Sequence, residues 1–366
     1  EHGLNRETEW DRLEPSSPAG ILAAARREAL TRPPRTPSSG VVVPTSTGVR
    51  TTKPVSTQEA FGRVLVELSR DEAVAPLLVT TAPDVATSTN LAGFINRTGV
   101  FAPAERRSWS QDRMLRWTET PAGQHIELGI SEMNLFLLLE QLGLAWDLSG
   151  QPLLPVGTVY DPFVLRGLDA FVHAVYSGAR FVVAGTPSGI TLAPEGGAHQ
   201  STITASVGLE LPGVTFVEPA YATALDWLLC DALGRIAAGP TAPTTAAPAD
   251  DGATYLRLTT RPLDQAPFEA ARARLGDAVL RRQVLAGAYR LVDAYDAHPE
   301  LRADGAPVVH LVASGAVLPE VLAAAEELAG EGVAAHVVDV TSLDRLYAAW
   351  QRTLRQGVRT ATTPSV

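Results

Sequence analysis

The chain has 366 residues, 45% of them hydrophobic and 19% charged, with a formal net charge of -10. That length holds two ordinary domains with separate cores. The acidic balance argues against nucleic acid and anionic membrane as partners. No apolar run reaches membrane-spanning length and no signal peptide is visible, so a cytoplasmic protein is expected.

Positive charge comes almost wholly from arginine, Lys53 being the single lysine. The single cysteine, Cys230, sits in the apolar run Trp227-Leu-Leu-Cys230 and reads as a buried structural thiol in a reducing compartment. The chain begins at Glu1 rather than methionine, which points to processing or to a piece of something longer.

Residues 1–55 read as a linker-like segment. Pro18–Leu30 can form one helix with Ile21, Leu22, Ala25 and Leu30 on a face, and a Pro/Ser/Thr-rich stretch runs on to Pro54. Ser56-Thr-Gln-Glu59 is a capping box, with Val55 and Ala60 placed for a hydrophobic staple. It predicts a helix to about Ser69 with Phe61, Val64, Leu65 and Leu68 inward. Leu77–Thr81 reads as a buried strand, and an element opens between Ser88 and Phe94. Residues 102–120 read as an irregular excursion.

From residue 125 strands and helices alternate. Strands are predicted at 125–131, 153–160, 180–184 and 214–217. Helices are predicted at 132–146, 163–177 and 221–237, and a glycine-rich loop at 185–200. Continuous apolar strands alternating with helices imply an α/β fold, a parallel sheet with helices on both faces. Residues 241–252 read as a second linker. Beyond it, 253–366 reads as a smaller, incomplete α/β domain. Its strands are predicted at 255–259, 308–313 and 334–340 and its helices at 318–328 and 343–354, with no pattern from Arg355 to Val366.

In such sheets ligands sit beyond the carboxyl ends of the strands. Asp84, Glu132, Tyr160, Phe163 and His199 all fall just past a predicted strand end. Each has a plainer reading: Glu132 as a helix-start acid, Phe163 and Tyr160 as packing, His199 as a loop histidine in water. No Cys/His metal cluster, HExxH, Walker loop, GxGxxG or GxSxG is present, so a protein-only metal site and a hydrolase elbow have no support.

Gly129-Ile-Ser-Glu132 with its apolar helix resembles the central thiamine-diphosphate segment of the transketolase superfamily. Gly185–Gln200 resembles the superfamily's loop ending in an active-site histidine. The stretches 218–222, 255–260, 313–317 and 340–342 resemble most closely the homodimeric-type pyruvate dehydrogenase first component. The likeness runs from about Ser56 to Leu343. It makes 56–240 a pyrimidine-binding domain and 253–366 part of a transketolase-type C-terminal domain.

The resemblance implies thiamine diphosphate as cofactor, whose reactive centre the protein orients and tunes. Glu132 matches the acid on the pyrimidine ring nitrogen, and Ile130 the apolar wedge. Phe163 matches the ring that stacks on the pyrimidine, and Tyr160 lines the same pocket. His199 matches a histidine that steadies substrate oxygen or moves protons, and Asp84 an acid in the substrate pocket. Glu132 and His199 are the implied catalytic pair. Val85 stands where the nearest relatives often carry a second acid. The Gly-Asp-Gly…Asn segment that holds diphosphate and magnesium in the family is absent, so that half would come from a missing part or a separate chain.

The implied reaction is oxidative decarboxylation of pyruvate with acetyl transfer to a lipoylated dihydrolipoyl acyltransferase, by a homodimer or split-chain assembly. A β subunit of a heterotetrameric 2-oxo acid dehydrogenase is one alternative. Transketolase is another; it would want more cationic groups for phosphates near the pocket, and the Arg-rich stretch 106–116 keeps it open. A degenerate scaffold paired with an active partner is the non-enzymatic reading.

Overall fold

The computed structural model describes residues 14–30, 41–106, 115–188, 191, 196–239, 252–303 and 305–360. The chain divides into two compact units, Glu1–Ser39 and Gly40–Val366. In the first, helix α1 (Pro18–Leu30) forms at the predicted residues. Ser17 Oγ accepts the Gly20 N–H at its start, and Ile21 and Leu22 are exposed.

The second unit opens on a stretch without regular structure that is nonetheless anchored. Val43 is buried, and Asp226 accepts hydrogen bonds from Ser46 Oγ, Thr47 N–H and Thr47 Oγ. α2 (Thr57–Leu68) then forms as its capping box predicts, Ser56 Oγ accepting the Glu59 N–H at 3.1 Å. Phe61, Val64, Leu65 and Leu68 are buried. There follow β1 (Leu78–Ala82), α3 (Ala92–Thr98), β2 (Val100–Phe101), β3 (Glu119–Thr120), β4 (His125–Glu127), α4 (Glu132–Gly143) and α5 (Ala145–Ser149). Next come β5 (Leu154–Val159), α6 (Leu168–Tyr176), β6 (Val182–Gly185), α7 (Thr204–Glu210), β7 (Val214–Val217), α8 (Ala222–Ala238) and β8 (Ala253–Arg257).

These strands form one eight-stranded parallel sheet in the order β3-β2-β4-β1-β5-β6-β8-β7. Alternation along β6 shows why both faces are covered. Val182 and Ala184 enter one core with Phe61, Leu65, Leu225 and Leu229, while Val183 enters the other with Phe136, Leu139 and Phe171. So α2 and α8 cover one face and α4 and α6 the other. Phe136 and Phe171 stack at 4.7 Å between α4 and α6. Each fully buried phenylalanine contributes about 1.5–3 kcal/mol of transfer free energy.

Beyond β8 lie α9 (Ala266–Leu275), α10 (Asp277–Ala286), β9 (Ala288–Val292), α11 (Ala294–Ala297), α12 (Pro299–Ala303), β10 (Val308–Ala313), α13 (Leu318–Gly330), β11 (Ala334–Val340) and α14 (Leu343–Thr360). Their sheet has three strands, β10-β11-β9, with β10 parallel and β9 antiparallel to β11.

Several details depart from the predicted elements. The strand expected at 255–259 forms at 253–257 and joins the large sheet between β6 and β7, although it lies beyond the 241–252 segment. The helix expected from Phe163 splits into a 3₁₀ turn, Asp161–Gly167, and α6, because Pro162 opens the turn and Gly167 closes it. The last helix continues to Thr360, with Leu346, Trp350, Leu354 and Val358 recurring every four residues. The strand expected at 125–131 ends at Glu127, and the helix expected at 132–146 breaks after Gly143. Helices α7, α9, α10, α11 and α12 and strands β2, β3 and β9 have no counterpart among the predicted elements. Most of the loop residues 189–195, residues 241–251 of the second linker, residues 107–114 of the Arg-rich stretch and residues 361–366 lie outside the described residues. Among the described residues, no helix is long and apolar enough to cross a membrane. Cys230 is buried, and burial holds its thiol well above the ordinary range.

In the small sheet Asp339 is fully buried on β11, and Tyr289 Oη on β9 donates to its Oδ2 at 2.7 Å. Burial pushes the Asp339 carboxyl up from 3.8 to about 7; the Tyr289 hydrogen bond opposes this and the Glu218 charge adds to it. The folded chain therefore keeps a proton that the unfolded chain loses near pH 4. Stability is full below that value and falls as pH rises toward 7. Asp339→Asn removes this loss: its urea midpoint, measured against wild type, should improve between pH 4 and pH 8. A constant difference across that range refutes the assignment.

Candidate active site at the strand ends

Parallel pairing puts the carboxyl ends of all eight strands on one edge. The order β4-β1-β5-β6 sets the five predicted positions in a row. Glu132 follows β4, Asp84 follows β1, Tyr160 and Phe163 follow β5, and the loop to His199 follows β6.

Three rings meet at the centre of this row. Tyr160 and Phe163 lie 5.9 Å apart, Tyr160 and His199 5.5 Å, and Phe163 and His199 5.4 Å between centroids. His199 ends a short 3₁₀ turn, Gly197–His199, and its Nδ1 is buried without a hydrogen-bond partner among the described residues. A buried ring nitrogen without a partner costs free energy unless another group satisfies it.

Glu132 opens α4, where a helix N-terminus favours negative charge. Its side chain is 12% exposed, and Arg166 Nη1 donates to Oε1 at 3.0 Å. The Arg166 guanidinium lies over the Phe163 ring at 3.7 Å from the centroid. One side chain thus joins Glu132 to the ring cluster. The local sequence permits this approach: a Cβ at Gly167 would stand 2.7 Å from the Glu132 carbonyl oxygen and 2.4 Å from Phe136.

Ile130 is 80% exposed on the turn before α4. Asp84 is exposed, adopts a positive φ of 64°, and donates its N–H to Glu127 Oε1 at 2.7 Å. The same oxygen accepts the N–H groups of Leu128 and Gly129 at 3.0 and 3.2 Å. Burial works to raise the Glu127 carboxyl, but the His125 hydrogen bond and these backbone donors outweigh it and hold it low. Glu127 therefore ties the Asp84 loop to the turn carrying Ile130. His125, behind it, is fully buried with Nδ1 2.9 Å from Thr80 Oγ1.

Beneath the rings lies a buried polar network that the sequence reading did not single out. Asp161 is fully buried and accepts from Tyr255 Oη, from Thr204 Oγ at 2.6 Å and from Arg257 Nε at 3.2 Å. Arg257 Nη1 also donates to Glu218 Oε1 at 2.8 Å, and Nη2 to the Ser201 carbonyl at 3.3 Å. Gly185 is open space for this network, since a Cβ there would meet the Tyr255 ring at 2.6 Å. Burial opposes the charge on Arg257, but Glu218 and Asp161 outweigh it and hold the guanidinium protonated. Burial pushes the Glu218 carboxyl up while Arg257 pulls it down. The network joins the turn bearing Phe163 to the loop after His199. A basic residue, Arg257, within the predicted strand 255–259 is the available signal, an expensive residue to bury without partners.

Among the described residues no group of three or more His, Cys, Asp or Glu side chains could hold a metal ion.

Known proteins match this arrangement over most of the chain. The family profile of the pyruvate dehydrogenase E1 component middle domain covers residues 40–242, and that of the transketolase C-terminal domain residues 300–362. A 6-deoxy-6-sulfo-D-fructose transketolase subunit from a Clostridium strain is 28% identical over 227 residues, which is 62% of this chain and 57% of the relative. The pyruvate dehydrogenase E1 component of Mycobacterium tuberculosis is 28% identical over 301 residues, 80% of this chain and 30% of the relative. Among solved structures, transketolase from Leishmania mexicana superposes with a TM-score of 0.60 at 18% identity, covering 84% of this chain and 37% of that one. A split-gene transketolase, described as an inactive β4 tetramer, gives 0.51 at 20% identity, covering 81% and 76%. The chain thus spans between about a third and three-fifths of these two curated relatives.

Arg257→Met leaves Asp161 and Glu218 without their counter-charge. Breaking such a pair costs about 3–5 kcal/mol, which urea unfolding at pH 7 will measure. A cost below ~1 kcal/mol would show that the network carries no structural weight.

Proposed function

The chain belongs to the pyruvate dehydrogenase E1 middle-domain family of the transketolase superfamily, and on that basis we propose that it supplies the pyrimidine half of a thiamine-diphosphate active site. The observation that carries the reading is the slot between Glu132 and Phe163. It is bounded by a carboxylate edge and an aromatic face, and a planar cation, Arg166, already fits it. The partnerless His199 Nδ1 beside the same rings is a second fit.

In this reading the cofactor brings a nucleophilic carbon for addition to a carbonyl. The chain does the rest of its half. Glu132 binds the pyrimidine ring nitrogen and exchanges a proton there. Phe163 stacks on the ring, and Tyr160 closes the pocket side. Ile130, exposed on its turn, wedges the bent cofactor. His199 holds or moves a proton at substrate oxygen, and Asp84 faces the substrate.

The preferred reaction is oxidative decarboxylation of pyruvate with acetyl transfer to a lipoyl group on a partner acyltransferase. The E1 family match supports it. Transketolase chemistry, moving two-carbon units between sugar phosphates, is the second reading, favoured by the Clostridium subunit and by the fold neighbours. The diphosphate and magnesium belong, in this proposal, to another part or chain. Apolar groups left exposed on α4 and after it, Met133, Leu137, Leu165 and Val172, support a partner surface there.

Glu132→Ala in the assembled enzyme should lower kcat at least a hundredfold, the usual scale for a lost acid–base group, with an unchanged unfolding midpoint. Assays with pyruvate and a redox dye, and with sugar phosphates, decide between the two reactions. Unchanged turnover on both sinks the site. The 366-residue chain alone should bind thiamine diphosphate weakly by calorimetry, since half of the contacts are supplied elsewhere; tight binding contradicts the half-site.

A further inference from the structure

Arg166 was not among the residues singled out in the sequence, yet it sits where two groups of the proposed site meet. Its Nη1 lies 3.0 Å from Glu132 Oε1, and its Cζ lies 3.7 Å from the Phe163 ring centroid. The guanidinium is flat, cationic and rich in edge N–H groups. A ring-protonated aminopyrimidine has the same three features: a face for an aromatic ring, positive charge, and an edge N–H for a carboxylate. Glu132 Oε1 and the covered face of Phe163 admit one planar donor at a time.

We propose that Arg166 is a built-in competitor for this slot. The guanidinium and the pyrimidine ring exclude each other, and Arg166 swings toward solvent before Glu132 and Phe163 can hold the ring. This rests on the pyrimidine-site reading above.

The two sides of the contact differ in the way such a gate needs. Glu132 is fixed in the first turn of α4 and is 12% exposed, whereas the Arg166 side chain is 54% exposed on the 3₁₀ turn Asp161–Gly167. Rotation outward moves Arg166 into water. Withdrawal gives up one half-exposed ion pair and one cation–π contact, each modest. A competitor of that strength lowers apparent affinity by the fraction of time the slot is open. The gate favours ligands whose other contacts add binding free energy, and it holds Glu132 and Phe163 in register meanwhile.

Thiamine carries the pyrimidine without the diphosphate and is the probe. It is titrated by calorimetry into the 366-residue chain, Arg166→Ala and Arg166→Lys, after circular dichroism has verified folding. Arg166→Ala should bind thiamine about tenfold more tightly than wild type. Arg166→Lys should fall between them, because an ammonium pairs with Glu132 but cannot lie flat on Phe163. Methylguanidinium should compete with thiamine in Arg166→Ala and have little effect on wild type. Equal or weaker thiamine binding by Arg166→Ala overturns the competition and leaves the pyrimidine site standing. No thiamine binding by any of the three chains overturns the pyrimidine site and the competition with it.

Discussion

Arg257 is a cation held in the interior by two carboxylates, and the placement of the proposed site depends on it. It ends β8, reaches Asp161 at the head of the turn that carries Phe163, and reaches Glu218 just past β7. Its third contact is the Ser201 carbonyl, two residues past His199. Glu218 in turn takes its backbone partners from the second sheet's side, Thr341 carbonyl and Ser314 Oγ. Taking a guanidinium and two carboxylates out of water is costly unless each is paired. That cost gives the network its directional value, because only one arrangement of the four segments satisfies all of its members. The rings above it inherit their spacing from that arrangement.

Local signals in the chain were strong where one segment decided the outcome. The Ser56 capping box, the strands read at 153–160 and 214–217 and the helix read at 318–328 form close to where they are read, because caps and periodicity act within a few residues. The order of motifs from Gly129 to His199 also pointed to the correct superfamily. Pairing was less legible. Nothing in Ala253–Arg257 says whether it extends the first sheet or begins a second, since apolar strands look alike and the partner is chosen by tertiary contacts. Short helices such as α7 carry too few turns for periodicity to register. Arg166 and Arg257 were visible as residues, but their importance lies in partners distant in sequence: 34 residues for Glu132, 96 for Asp161.

Within the proposed site the chain offers different kinds of group on successive strand ends, each secured differently. Glu132 is fixed by its helix, the rings by mutual packing, and the Asp84 loop by the three backbone donors that converge on Glu127. Rigid support beneath exposed apolar and aromatic groups is what a site completed by another surface requires. Ile130 and the exposed face of α4 are costly in water and become useful once covered. The same logic makes Arg166 intelligible: a carboxylate and an aromatic face poised for a flat cation attract the nearest one the chain can provide.

The position of β8 has a consequence for how this protein can be divided. β7 is an edge strand and, among the described residues, pairs with β8 alone, yet α8 and the long connection to residue 252 separate them in sequence. A cut in that connection would not release two self-sufficient pieces. The amino-terminal fragment would keep β7 with its hydrogen-bonding edge bare, and β6 would lose one of its two neighbours. The carboxyl-terminal fragment would carry one orphan strand, with Arg257 at its tip and neither carboxylate to meet it. Such fragments are interlocked parts, able to regain the sheet only by complementation with each other. Any natural or engineered split that preserves independent folding must fall elsewhere.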